Sequence, residues 1–149
     1  MSLLSAKKVA LGALTLSSGL GVNALWDCRY NQHVFPVDLD KFVVHFTSRR
    51  DSNYNDHQSW VRICLPNEDG YWENVDPIGV SCAIKGDTIS KDQTKLDADL
   101  RVVAGQGCNS YSDALDGASI TYKDQSINLM YGGDSCGPRD HGITCQFSK

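Results

Sequence analysis

Six cysteines are the residues whose chemistry the sequence indicates most directly. None belongs to a C-x-x-C pair, and no His lies at zinc-ligand spacing from two of them. An even number of cysteines in a small secreted chain is typical of a set of disulfides. The sequence therefore predicts three disulfides and no metal site. The six residues are Cys28, Cys64, Cys82, Cys108, Cys136 and Cys145.

One pairing is favoured among the fifteen connectivities that six cysteines allow. Cys28 lies near the start of the expected mature chain, and Cys145 lies in its last predicted strand. A bond between these two residues would join the two ends of the domain, so we expect Cys28 to pair with Cys145. The pairing of the four inner cysteines stays open.

The first 24 residues have the composition of a secretory signal. Lys7 and Lys8 precede the apolar run 9–16, and residues 22–24 have the small-x-small pattern that a signal peptidase accepts. Cleavage removes these two lysines from the 14 Lys plus Arg, which leaves 12 against 18 Asp plus Glu and a formal charge of −6. We expect residues 25–149 to form one secreted domain without a membrane segment. The negative charge disfavours non-specific binding of nucleic acid but does not exclude an enzyme that contacts a single phosphate.

A helix is the first element that the pattern predicts. Asp38 is a good N-cap residue. Apolar side chains follow at the i, i+3, i+4 and i+7 spacing of one helix face, and they are Leu39, Phe42, Val43 and Phe46. The polar segment 48–58 has no periodicity. The spacing predicts a helix over residues 38–50.

Beyond residue 58 the apolar residues alternate with polar ones, which is the period of a half-buried strand. Strands are predicted around residues 61–65, 80–84, 100–104 and 143–147, and a hairpin with its turn at Asp124-Gln125 is predicted from strands 118–122 and 127–131. The predicted fold class is α+β, with one N-terminal helix packed on an antiparallel β-sheet and held by disulfides.

Both ends of the expected mature chain carry a family resemblance. Leu25-Trp26-Asp27-Cys28 follows the cleavage site, and Cys145-Gln146-Phe147 lies at the other end. This aromatic-x-Cys start and Cys-x-Phe ending resemble the ribonuclease-like secreted effectors of powdery mildew fungi, which are related in fold to the fungal guanyl-specific ribonucleases. The resemblance implies a microbial ribonuclease-like domain in which a helix precedes the sheet. It also implies a terminal disulfide, secretion and possible delivery into host cells.

The resemblance also implies a set of catalytic residues. His57, in the polar segment 53–57, is similar to the family's catalytic His, and Glu73, between aromatics and Pro77-Ile78, is similar to its catalytic Glu. Arg101 lies in a segment similar to the strand that carries the family's phosphate-binding Arg. Cleavage of RNA through the 2′-hydroxyl needs a base, an acid and a cation at the phosphate. His57 and Glu73 would supply the base, Arg101 the cation, and His141, the remaining candidate, the acid.

Three aromatic residues complete this candidate site. Tyr54, Tyr71 and Trp72 could stack on an RNA base. Each candidate also has a structural interpretation that stays open. Aromatic residues such as Tyr71 and Trp72 are more often core or rim residues than stacking platforms, and an Arg on an alternating strand, such as Arg101, usually lies on the solvent face.

The last catalytic His of the family has no clear counterpart. If residues 117–120 are aligned with the family's Arg strand instead, the position of the last catalytic His is occupied by Tyr131 or Gly132. His141 lies in a loop rather than on a strand. This departure favours a monomeric effector that binds RNA or a host protein with little or no catalysis. It would need no cofactor and no metal. The alternative is an active secreted endoribonuclease that cleaves single-stranded RNA.

Overall fold

The computed structural model describes Cys28 and residues 35–48, 58–110, 112–139 and 142–149. These residues form ten strands and two short helices, with two 3-10 turns at Leu129–Tyr131 and Gly133–Ser135. The helices are α1 (Lys91–Thr94) and α2 (Gln106–Ser110). The strands are β1 (Lys41–Thr47), β2 (Gln58–Pro66), β3 (Trp72–Asn74), β4 (Ile78–Ser81), β5 (Asp87–Ile89), β6 (Leu100–Val103), β7 (Ser119–Tyr122), β8 (Gln125–Asn128), β9 (Cys136–Arg139) and β10 (Gly142–Ser148).

The predicted N-terminal helix is wrong, because residues 41–47 form strand β1. Asp38 does not cap a helix. Its carboxylate accepts the backbone N–H of Asp40 at 2.9 Å, and its carbonyl accepts that of Lys41 at 3.1 Å, which makes a turn into the strand. β1 is rich in aromatic and β-branched residues, which favour strands. The fold class α+β with a helix packed on a sheet is therefore replaced by a mainly antiparallel β structure.

The spacing of apolar residues in β1 resembles that of a helix because this strand lies at the centre of a sheet and is buried on both faces. Phe42, Val44 and Phe46 face one hydrophobic cluster, while Val43 faces another. A run that is apolar on both faces shows no alternation, so periodicity cannot distinguish it from a buried helix. Leu39, which the helical pattern would bury, is 57% exposed.

Two antiparallel sheets make up the described part of the chain. The first has the order β3-β2-β1-β10-β9, with β4 also paired to β2, and the second has the order β5-β6-β7-β8. The strands predicted around residues 61–65, 100–104 and 143–147 are confirmed as β2, β6 and β10. The β7–β8 hairpin is also confirmed, although its two-residue turn is Lys123-Asp124 and residues 129–131 form a 3-10 turn. The strand predicted over residues 80–84 ends at Ser81.

The two sheets share one core. Phe42 of β1 lies against Tyr122 of β7 with ring centroids 4.8 Å apart in an edge-to-face contact, and it stacks on Phe147 of β10 at 5.4 Å. The Gln125 side-chain amide also joins the sheets, because it donates to the Ser148 carbonyl at 2.7 Å and accepts the Ser148 N–H at 2.8 Å. A smaller cluster covers the other face of the first sheet and contains Phe35, Val43 and Trp72.

All six cysteines form disulfides, but the predicted Cys28–Cys145 bond is wrong. Cys28 pairs with Cys64, and Cys136 pairs with Cys145; the third disulfide joins Cys82 to Cys108. The physical reason lies in the faces of the first sheet. Cys28 and Cys64 belong to the small cluster on one face, whereas Cys145 belongs to the shared core on the other face. The sheet itself therefore separates Cys28 from Cys145.

The predicted signal segment 1–24 lies outside the described residues. In the described part of the chain, no helix has the length and apolar character that crossing a membrane requires.

Candidate functional site

A pocket of about 200 Å³ lies where the end of the first sheet meets the second sheet. Its lining comes from the end of β2, from β3, from the segment after α1, from the end of β7 and from the residue after β10. The lining residues are Leu65, Pro66, Glu73, Lys95, Leu96, Asp97, Tyr122 and Lys149.

The hairpin between β2 and β3 positions Glu73. Its loop is closed by Asn67, whose N–H donates to the Tyr71 carbonyl at 2.9 Å, and the indole Nε1 of Trp72 donates to the buried Phe35 carbonyl at 2.8 Å. Neighbouring side chains of a strand point to opposite faces. Because Trp72 faces the small cluster, Glu73 faces the other side, where it lies opposite Leu65 and lines the pocket.

The end of α1 forms a second wall. Lys95 follows the helix in the left-handed conformation, with φ 61°, and its N–H donates to the Lys91 carbonyl at 2.8 Å. Buried Thr94 accepts the N–H of Leu96 on its hydroxyl at 3.3 Å. This turn buries Leu96 and leaves Lys95 and Asp97 exposed on either side of it.

Tyr122 is the one lining residue whose side chain is fully buried. Its ring packs edge-to-face on Phe42, and the Lys123 ammonium lies 5.3 Å from the ring centroid. Its hydroxyl is buried, and none of the described residues forms a hydrogen bond with it. A buried polar atom without a partner costs about 1–3 kcal/mol of folding free energy.

Lys149 is held beside Tyr122 by two sets of backbone contacts. Its N–H donates to the Asp40 carbonyl at 2.9 Å, which continues the pairing between β1 and β10. The preceding Ser148 is bound by the amide of Gln125, and Gln125 is the strand partner of Tyr122. The β7–β8 hairpin therefore places Lys149 on the same wall as Tyr122.

The charged side chains of the pocket are available to a ligand. Glu73, Lys95, Asp97 and Lys149 form no side-chain hydrogen bond or ion pair with any described residue, and all four are exposed. Their side chains are two carboxylates and two ammonium groups, so the pocket presents both signs of charge beside Leu65, Pro66 and Leu96.

Of the residues predicted as a ribonuclease site, Glu73 lines this pocket and the other described ones do not. Trp72 is 1% exposed and belongs to the core, in agreement with its structural interpretation. Tyr71 is 37% exposed at the start of β3. Arg101 lies exposed on β6 of the second sheet, where its guanidinium Nη2 donates to the Lys85 carbonyl at 2.8 Å. The structure does not bring Glu73 and Arg101 together around the pocket.

Tyr54, His57 and His141 lie outside the described residues, so their predicted roles stay predictions. The length of strand β2 shows how far Glu73 lies from Gln58, the first described residue after His57. Gln58 begins this strand, and Leu65, the partner of Glu73, lies seven residues further along it. At about 3.3 Å per residue, Gln58 and Leu65 are about 23 Å apart. Glu73 therefore lies at the opposite end of the strand from the residue that follows His57.

Sequence reasoning did not find Tyr122, Lys149 or the Lys95–Asp97 segment. One signal was present for Tyr122, which occupies an inward position of a predicted strand and brings a hydroxyl that needs a partner when it is buried. Lys95 and Asp97 carry no such signal, because single charged residues after a short helix are ordinary surface residues.

Comparison with known proteins adds no relative, because no family model, no curated protein and no solved structure matches the chain. The chemistry of the pocket must therefore be judged from its own residues. Its lining contains no His, Cys, Ser or Thr, but it contains Glu, Asp, Lys and Tyr residues, which also act as acids, bases or nucleophiles in enzymes. Among the residues that the structure describes, no three His, Cys, Asp or Glu side chains are grouped to hold a metal ion.

Proposed function

We propose that this protein is a secreted, disulfide-stabilised binding protein that holds a ligand in the pocket over Tyr122 and performs no reaction on it. The observation that carries the proposal is the pocket itself, which is lined by four exposed charged side chains that form no hydrogen bond or ion pair with any described residue. Concave sites with a few convergent polar groups are where proteins bind small ligands. The leader and the three disulfides support secretion.

The size of the pocket limits what it can hold. Sites for drug-sized ligands have volumes of about 300–1,000 Å³, and this pocket is smaller, at about 200 Å³. It fits one small molecule, or one residue of a larger partner such as a host protein. RNA is a poor fit, because the expected mature chain has 18 acidic against 12 basic residues and half of the charged lining residues are acidic.

This proposal does not rest on the resemblance to ribonuclease-like effectors. The helix that the resemblance requires is replaced by strand β1, and Glu73 does not lie near Arg101 in the pocket. An active ribonuclease would need catalytic groups from outside the described residues. The proposal keeps the expectation of a secreted binding protein and places its site at the pocket.

The test is a fragment screen followed by the backbone amide signals of the mature protein in NMR. We expect binding fragments to shift the signals of Glu73, Leu96 and Lys149, and cationic fragments to bind at least about twofold more weakly in Glu73→Gln than in the exposed control Glu68→Gln, because only Glu73 lines the pocket. Shifts confined to other surfaces, or none, would contradict the proposal. Turnover of single-stranded RNA at the rate of a guanyl-specific ribonuclease would contradict the absence of catalysis.

A further inference from the structure

We propose that the Cys136–Cys145 disulfide is a thiol-exchange site, which a dithiol reductant opens while the domain stays folded. The site would take reductants of the thioredoxin class, which attack with one thiol and complete the reaction with a second. Neither cysteine lines the pocket, so this inference goes beyond the proposed function and does not depend on it. It is carried by the strand register of the two cysteines, by their different burial and by the short loop that they close.

The two cysteines face each other across neighbouring strands. Cys136 begins β9, which is an outer strand of the first sheet as described, and Cys145 is its direct partner in β10. Their Cα atoms are 4.0 Å apart, whereas the Cα atoms of each other disulfide are 5.5 Å apart. Disulfides ordinarily join Cα atoms about 4.4–6.8 Å apart, and departures from this range make the bond easier to reduce. The pairing of β9 with β10 therefore holds this bond at an unfavourable span.

The two ends of the bond differ in burial. Cys136 is half-buried on its outer strand, and Cys145 is fully buried in the shared core. Gly132 lies against the Sγ of Cys136, where the Cβ of any other residue would collide with that sulfur. This side of the sulfur is therefore covered by a residue without a side chain. A reductant would approach from the Cys136 end, and Cys145 would be the leaving group.

Each of the other two disulfides lacks one of these features. Both residues of Cys28–Cys64 are fully buried. Cys82 is half-buried, but its disulfide joins the residue after β4 to Cys108 of α2 across an ordinary span of 5.5 Å. We therefore expect Cys136–Cys145 to be the first disulfide that a reductant opens.

The exchange is a two-step reaction. A thiolate of the reductant attacks the Sγ of Cys136, the bond between the two cysteines breaks, and the Sγ of Cys145 leaves with the electron pair and takes up a proton. The second thiol of the reductant loses its proton and attacks the reductant's own sulfur in the mixed disulfide. Cys136 is then released and takes up a proton. The protein disulfide gains two electrons, and the dithiol is oxidised to a disulfide.

The domain should keep its fold after this reduction. The two cysteines are 9 residues apart in sequence, against 26 and 36 for the other pairs, and a short closed loop restricts the unfolded chain least. β10 also pairs with β1 along the whole of β1, and no disulfide is needed for that pairing. Reduction should therefore loosen the outer strand β9 and leave the two sheets in place.

The test equilibrates the mature protein, with its three disulfides formed, in mixtures of reduced and oxidised dithiothreitol. Free thiols are blocked with N-ethylmaleimide at each mixture, and peptide mapping gives the reduced fraction of every cysteine. We expect Cys136 and Cys145 to be reduced with an equilibrium constant at least about tenfold larger than that of either other pair, which corresponds to about 30 mV. The other four cysteines are the internal control, and the dispersed amide signals of the folded protein should persist in NMR at this step.

A thioredoxin that lacks its second cysteine identifies the attacked sulfur, because it cannot complete the exchange and stays bonded to the protein. We expect this mixed disulfide on Cys136. An adduct on Cys145, or no adduct, would overturn the proposal. So would reduction of another pair under equally or less reducing conditions, or the loss of all three disulfides in one unfolding transition. None of these results bears on ligand binding in the pocket, which the fragment screen tests separately.

Discussion

Replacing Tyr122 by Phe tests the energetics of the shared core, because it removes one buried oxygen and keeps the ring. The ring contacts with Phe42 at 4.8 Å and the burial of the side chain should be preserved. In most cores such a change costs stability, because the hydroxyl loses a hydrogen bond. Here the hydroxyl has no partner among the described residues, so the variant should be more stable than the parent protein.

The expected gain can be estimated from the cost of a buried polar atom that lacks a partner. This cost is about 1–3 kcal/mol, and we take its lower end as the expected change. We therefore expect the free energy of unfolding to rise by about 1 kcal/mol. For a domain of this size the midpoint of thermal unfolding should increase by about 4 °C.

Denaturant unfolding with the disulfides intact measures the change, and an unaltered dependence on denaturant shows that the folded and unfolded states are otherwise the same. Tyr131→Phe is the matched control, because Tyr131 is 76% exposed and its stability effect should stay within about 0.5 kcal/mol. A loss of more than about 0.5 kcal/mol in Tyr122→Phe would refute the reasoning. It would show that the hydroxyl is hydrogen-bonded in the folded protein.

Two further predictions concern the stability of the described structure. Replacing both cysteines of a disulfide by Ser should lower the free energy of unfolding by about 4 kcal/mol for Cys28–Cys64 and by about 2.5 kcal/mol for Cys136–Cys145. The two sequence separations are 36 and 9 residues, and a longer closed loop restricts the unfolded chain more. The reverse order of the two losses in denaturant unfolding would contradict this explanation. Lys95→Gly should raise the free energy of unfolding by about 1 kcal/mol, because φ is 61° at this helix end and Gly adopts that conformation without steric cost. A lower midpoint of thermal unfolding in this variant would show that the Lys95 side chain stabilises the protein by more than the backbone strain costs.

The sequence determined those elements in which one face is buried and the other is not. Strands β2, β6 and β10 and the β7–β8 hairpin were predictable because alternation of apolar and polar residues records this asymmetry. The presence of three disulfides was predictable from the even number of cysteines behind a predicted secretory leader. Each of these features depends on neighbours along the chain or on composition alone.

Tertiary structure decided the features that depend on distant neighbours. β1 is a strand because β2 and β10 flank it and both of its faces are covered, which removed the alternation and left a false helical spacing. Cys28 cannot reach Cys145 because a sheet lies between them. Glu73 was singled out from the sequence, but only the packing of the two sheets brings it to one pocket with Tyr122 and Lys149. Strand pairing between distant segments places these side chains together, and no local pattern in the sequence records that pairing.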